Sequence, residues 1–157
     1  MKPTEVVVIG QGYVGLPLSI AIAEAGFKVL GFDLNGALVE KLNAGISHIE
    51  DIPSESLGKS LKSGNYTATS NPPDFCNSEM AIIAVPTPLN EERKPDLSFI
   101  ESASKLLGEN LLKSTLIINE STSYPGTLRG VIAAHITLSG IAHFYASSPE
   151  RVDPGNA

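Results

Sequence analysis

One cysteine, Cys76, stands alone in the 157 residues, so no intrachain disulfide can form and no partner thiol lies at metal-ligand spacing. That scarcity fits a reducing compartment. The three histidines, His48, His135 and His143, are widely separated and follow no zinc spacing, which makes them solvated or core-edge residues rather than ligands. No run approaches the roughly 20 apolar residues that span a bilayer, and the N-terminus enters a strand-like run without a signal-peptide pattern. The expectation is a cytoplasmic protein with no membrane partner. Positive charge is also short: 11 Lys and Arg against 17 Asp and Glu leave a formal charge of −6, with no local basic cluster. Such a surface argues against a nucleic-acid partner, although a small anion can still bind through backbone amides. There is no short-period repeat and no low-complexity segment. The length corresponds to about one domain at the usual roughly 100 to 200 residues each, and residues 153–157 are the nearest thing to a linker.

What is present begins with Val6-Val7-Val8-Ile9, a β-branched run without alternation, leading into Gly10-Gln11-Gly12-Tyr13-Val14-Gly15. A run of this kind suits a strand buried on both faces, as in the middle of a parallel sheet. The glycines then have separate jobs: Gly10 makes the turn, Gly12 lets backbone N–H groups approach a pyrophosphate, and Gly15 lets a helix pack closely on the strand. The diphosphate would rest on the free N–H groups at that helix N-terminus, with Tyr13 and Val14 beside it. Val14, Leu18, Ala21, Ile22 and Ala25 recur at helical spacing, and Gly26 ends the helix. Lys28 to Asp33 reads as a short strand closing on a carboxylate, 21 residues beyond Gly12. A dinucleotide fold places there the acid that accepts the adenosine ribose hydroxyls. A turn-capping role is the plain alternative for Asp33. The carboxylate repels a 2′-phosphate and no Arg follows in Leu34-Asn35-Gly36, so NAD is expected over NADP.

Further along, helices are expected over 37–43 and 54–63, with Ser54 as a cap, and the stretch between them is irregular. A strand at 66–69 and a turn at Asn71-Pro72-Pro73-Asp74 follow. Met80 to Val85 is a second fully buried strand, and it opens a second half: helix 98–110, strand 115–119, helix 127–137, strand 143–147. The alternation predicts an α/β fold, a doubly wound, parallel, six-stranded Rossmann sheet of order 3-2-1-4-5-6. Ligands of such sheets bind outside the carboxyl ends of the strands. Pro86-Thr87-Pro88, Glu120-Ser121-Thr122 and Ser148-Pro149-Glu150-Arg151 fall at that edge. Each has a plain alternative: the prolines stop a strand, Ser121 and Thr122 cap a helix, and Glu150 is a solvated acid.

Taken together, the glycine motif with Leu16-Pro17, Asp33, Val85-Pro86-Thr87-Pro88, Glu120-Ser121-Thr122 with Pro125-Gly126, and Ser148-Pro149-Glu150-Arg151 resemble the UDP-glucose/GDP-mannose (nucleotide-sugar 6-) dehydrogenase family over the whole chain. The resemblance implies an NAD-dependent double oxidation of a sugar C6 alcohol, through an aldehyde, to the carboxylate, reducing two NAD per sugar. By position, Thr122 is similar to a threonine that helps hold a catalytic water, and Glu150 to a glutamate near the nicotinamide that assists thioester hydrolysis. Thr87 and Ser121, with Pro86, are similar to groups lining the cofactor. UDP-glucose enzymes carry a second acid where this chain has Pro154, and Tyr124-Pro125-Gly126 with Asp153-Pro154-Gly155-Asn156 resembles the UDP-N-acetylhexosamine branch. The family's nucleophilic cysteine lies in a Gly-rich segment further downstream, and Cys76, without flanking glycines, is not it. The dimerising helix and uridine-nucleotide domain are likewise expected beyond residue 157. Residues 1–157 are thus expected to be an NAD-binding domain of a longer, dimeric enzyme, monomeric and without turnover by itself. Two alternatives stay open, a stand-alone NAD-binding regulatory module and another Rossmann dehydrogenase, though the latter does not predict the two proline-containing loops.

Overall fold

The apolar run becomes β1 (Glu5–Ile9), whose successive side chains go to opposite faces of a sheet. Val6 and Val8 join a core with Leu16 and Ile20 of α1 (Gly15–Glu24), Leu42 of α2 (Gly36–Asn43) and Leu57 of α3 (Ser54–Lys62). Val7 and Ile9 join a second core with Ile100 and Leu107 of α4 (Ser98–Asn110) and with Ile132 and Ile136. Both faces are covered, so no position from Val6 to Ile9 favours a polar side chain, and alternation is absent there. The computed structural model describes residues 5–50, 52–137 and 140–149.

The other strands are β2 (Lys28–Phe32), β3 (Tyr66–Thr69), β4 (Met80–Ile83), β5 (Leu116–Asn119) and β6 (Phe144–Ser147). They form one sheet in the order β3-β2-β1-β4-β5-β6, every pair parallel, as the alternation predicts. Register pairs Ile9 with Phe32 and with Ile83, and Ile83 with Asn119. Gly10, Asp33, Ala84 and Glu120 therefore leave the sheet along one edge. Among the described residues, no helix is long and apolar enough to cross a membrane.

Four local expectations need adjustment. The buried stripe of α1 is Leu16, Ser19, Ile20 and Ala23, while Ala21 and Ala25 are exposed and Val14, Leu18 and Ile22 pack only at the core margin. The helix is apolar nearly all round, so periodicity does not choose its face; the contact at Gly15 described below does. Pro53, not Ser54, sits at the cap of α3, and the Ser54 hydroxyl instead accepts from Ser47 N (3.1 Å), tying down the irregular segment. The turn after β3 closes as a 3-10 segment, Pro72–Phe75, with Phe75 buried edge-on against Phe32 at 5.3 Å between centroids. The expected helix over 127–137 is a π-helical segment, Leu128–Ala133, running into a short α5 (Ala134–Ile136). Ile132 and Ile136 reach the core in either geometry, so their spacing does not distinguish the two.

Candidate functional site

The glycine turn is fixed by contacts that forbid a side chain at two of its three glycines. Gly10 has φ +93°, and a Cβ there would lie 2.7 Å from the Ala84 carbonyl oxygen. At Gly15 a Cβ would lie 1.8 Å from the Gly10 carbonyl oxygen, so α1 can start this close to β1 only without one. Gly12 differs, because nothing stands within 4 Å of its missing Cβ. The protein itself does not require glycine there; space for a ligand does. Val14 precedes α1 without a side-chain cap, Leu16 N donates to Gly12 O (3.1 Å) and Pro17 has no N–H, so an anion here would be met by the backbone of the turn rather than by a full first turn of the helix.

Asp33 stands at the other side of the turn. Its Oδ2 accepts from Gln11 N and its Oδ1 from Asn35 N, both at 2.9 Å. A carboxylate offers about four lone-pair sites, and the two backbone donors leave one on each oxygen. That matches a pair of vicinal ribose hydroxyls. A 2′-phosphate would bring negative charge onto the same oxygens.

Beside Asp33 lies a cleft of about 480 Å³ lined by Gly10, Asp33, Leu34, Pro86, Phe99 and Leu106 among others. Leu34, 78% exposed, enters from the β2–α2 connection, and Phe99, 47% exposed, from α4. Two large apolar side chains left open to water beside a carboxylate suit a flat, weakly polar base attached to a sugar. The observed residues therefore fit an adenosine diphosphate moiety.

The second half of the edge is arranged differently. Ser121 is buried, and its hydroxyl accepts from Val85 N (2.9 Å) and donates to Val85 O (2.8 Å). This ties the loop after β5 to Pro86-Thr87-Pro88. Asn119, also buried, donates through Nδ2 to Ser121 O (2.9 Å) and Ser123 Oγ (3.2 Å). Thr87 is half-buried and Thr122 exposed, both on this edge; Pro86 reaches the cleft, and Tyr13 and Val14 lie beside the glycine turn, exposed and half-buried respectively. Glu150, Arg151 and Pro154 lie outside the described residues. Leu112 N donates to Cys76 O (2.9 Å), where the chain enters β5, so Cys76 sits at the amino edge of the sheet, opposite the cleft. Among the described residues, no group of three His, Cys, Asp or Glu is placed to hold a metal.

Sequence reasoning did not find Leu34, Phe99, Ser102, Ala103 and Leu106 in the cleft wall. The signal available was weak: an apolar residue directly after the acid, and a Phe on the outward side of an amphipathic helix. It also gave Gln11 no role, although Gln11 is fully buried beneath the turn, and it passed over Gly31 in the middle of β2.

Comparison with known proteins agrees with this geometry. The model of the UDP-glucose/GDP-mannose dehydrogenase family's NAD-binding domain matches residues 4–157. The UDP-N-acetyl-D-mannosamine dehydrogenase of Pyrococcus horikoshii is 37% identical over 155 residues, covering 96% of this chain and 37% of that protein. The UDP-N-acetyl-D-glucosamine 6-dehydrogenase of Pseudomonas aeruginosa is 36% identical over 163 residues, covering 99% and 37%. Among solved structures, a UDP-glucose dehydrogenase from Pyrobaculum islandicum superposes with a TM-score of 0.91 at 31% identity, covering 98% of this chain and 37% of that one. The chain thus spans about 37% of the length of these relatives. It belongs to the UDP-glucose/GDP-mannose dehydrogenase family and carries that family's NAD-binding domain.

Proposed function

We propose that this domain holds NAD for the oxidation of the C6 alcohol of a UDP-N-acetylhexosamine to the carboxylate, within a full-length enzyme that supplies the sugar site and the nucleophile. The observation that carries the substrate class is the match of UDP-N-acetyl-D-mannosamine and UDP-N-acetyl-D-glucosamine dehydrogenases over 96% and 99% of the chain. When bound, NAD supplies the two-electron oxidant. Asp33 accepts the adenosine ribose hydroxyls, the turn around Gly12 and the start of α1 take the diphosphate, and Leu34 and Phe99 cover the base. On the other half of the edge, Pro86 and Thr87 line the cofactor path and are held there by Ser121. The Thr122 hydroxyl, a weak acid that does not serve as a base near neutral pH, orients a water. Glu150 is assigned the proton-accepting role toward that water from its place in the Ser148-Pro149-Glu150-Arg151 motif, a carboxylate being able to take the proton. Cys76, on the opposite edge, takes no part. The full-length enzyme is proposed to be a homodimer and the 157-residue chain a monomer.

Three measurements test this reading. Calorimetry on the 157-residue chain is expected to give tighter binding of NAD than of NADP; tighter NADP binding contradicts the assignment of Asp33. The full-length protein, offered UDP-N-acetylhexosamines, UDP-glucose and GDP-mannose, is expected to form NADH fastest with an N-acetylhexosamine and at two per sugar. One NADH per sugar, or a preference for GDP-mannose, overturns the substrate proposal. Steady NADH formation by the 157-residue chain alone overturns its role as a cofactor domain without turnover.

A further inference from the structure

Beneath the glycine turn, the Gln11 side chain is 0% exposed and fully hydrogen-bonded. Nε2 donates to Val8 O (3.0 Å) and Gly10 O (3.2 Å), and Oε1 accepts from the Tyr66 hydroxyl at 2.9 Å. Only this amide orientation works, since the nitrogen faces two carbonyls and the oxygen faces a hydroxyl. Ser19 Oγ lies 3.3 Å from Oε1 but donates its proton to Gly15 O at 2.7 Å. The backbone N–H of the same Gln11 is the donor to Asp33 Oδ2. A single residue therefore links the end of β1, the first residue of β3 and the carboxylate after β2.

Gly31 gives independent support. Glycine weakens a strand interior and there marks close approach of another group. A Cβ on Gly31 would lie 2.6 Å from Gln11 Oε1 and 2.7 Å from the Tyr66 hydroxyl oxygen. The notch in β2 is occupied by this polar pair. Neither Gln11 nor Tyr66 lines the cleft itself, so any effect on binding must pass through Gly10 and Asp33, which do.

We propose that Gln11 and Tyr66, seated in the Gly31 notch, are positioning residues that set the Asp33 carboxylate for the adenosine ribose. The inference rests on the cleft's holding the adenosine half of NAD. Without the Gln11 amide, the Gly10 carbonyl and the turn lose their internal tether, and the Gln11 N–H no longer holds Oδ2 in place. Burial, and secondarily the Asp33 charge, keep the Tyr66 hydroxyl protonated far above the ordinary tyrosine range, so it remains a donor at any pH at which the protein is studied.

The test separates positioning from general stability by using two ligands that differ at one hydroxyl. Wild-type chain, Gln11→Met, Tyr66→Phe and Gly31→Ala are titrated with ADP and with 2′-deoxy-ADP, their folding being checked by circular dichroism. The wild type is expected to prefer ADP by about tenfold, the scale of one hydrogen bond to a charged group. In each variant ADP is expected to weaken by about three- to tenfold more than 2′-deoxy-ADP does, collapsing the preference. Folded variants that keep the wild-type preference, whether or not both ligands weaken together, overturn the proposal. If Gln11→Met does not fold, Tyr66→Phe, which removes one oxygen atom, decides alone. Failure of the wild type to bind ADP or NAD would instead overturn the cofactor reading beneath it.

Discussion

The two halves of the carboxyl edge place their polar groups differently. After β1, β2 and β3, nearly every polar group is committed to another part of the chain: Gln11 to Val8, Gly10 and Tyr66, and Asp33 to Gln11 and Asn35. After β4 and β5, the buried hydroxyl of Ser121 serves the backbone of Val85, while Thr122 projects into solvent. The first half, proposed for the adenosine, is thus preorganised by residues of this chain. The second half, proposed for the nicotinamide, is a fixed loop scaffold carrying an exposed hydroxyl at Thr122. Binding a cofactor and performing chemistry on it therefore place different demands on one sheet edge, and the strand order keeps them in separate halves.

The largest effect that would break this contrast belongs to Asp33. Asp33→Ala is expected to weaken NAD and ADP alike by about 100-fold, because two charge-assisted hydrogen bonds to the ribose are lost; calorimetry reads it directly. Next, Gly12 and Gly15 are expected to part company. Gly12→Ala, whose methyl meets nothing within 4 Å, leaves the melting temperature unchanged but weakens ADP by about tenfold or more. Gly15→Ala forces a methyl to 1.8 Å from the Gly10 carbonyl oxygen and costs about 3 kcal/mol or more of stability. Ser121→Ala tests the other half: the loss of its bonds to Val85 is expected to lower stability by about 1 kcal/mol, read by urea denaturation, with ADP affinity unchanged.

The smallest effect lies at the far edge of the sheet. Burial lowers the pKa of His143, whose Nδ1 accepts from Thr115 N (3.3 Å). A neutral imidazole is therefore favoured by folding. Its contribution is complete above the ordinary histidine value of about 6.5 and is lost as pH falls through the lowered folded value. His143→Gln is expected to flatten this shallow slope in denaturation experiments between neutral and mildly acidic pH. ADP affinity at neutral pH is expected to stay unchanged.

Much of this was legible in the residues. The unalternating Val6 to Ile9 run dictated a strand covered on both faces, and the alternation of elements put the glycine turn and Asp33 at one strand edge. The parts that were not legible depend on contacts between segments distant in sequence. Which face of α1 is buried follows from Gly15 meeting Gly10, because the helix is too uniformly apolar for its pattern to choose. The role of Gln11 depends on Tyr66, 55 residues away, and on a notch at Gly31. Ser121 resembles a cofactor-lining group by position, yet its hydroxyl is occupied by Val85, which no spacing rule reveals. The π-helical segment Leu128–Ala133 shares its buried spacing with an ordinary helix.

The central claim is that the adenosine half of the site is complete within this chain and supplies most of the cofactor's affinity. Calorimetric titration of the 157-residue chain with ADP and with NAD, under identical conditions, tests it most directly. The account predicts that ADP binds within about tenfold of NAD, a difference of about 1.4 kcal/mol. Measurable NAD binding with no detectable ADP binding would contradict it.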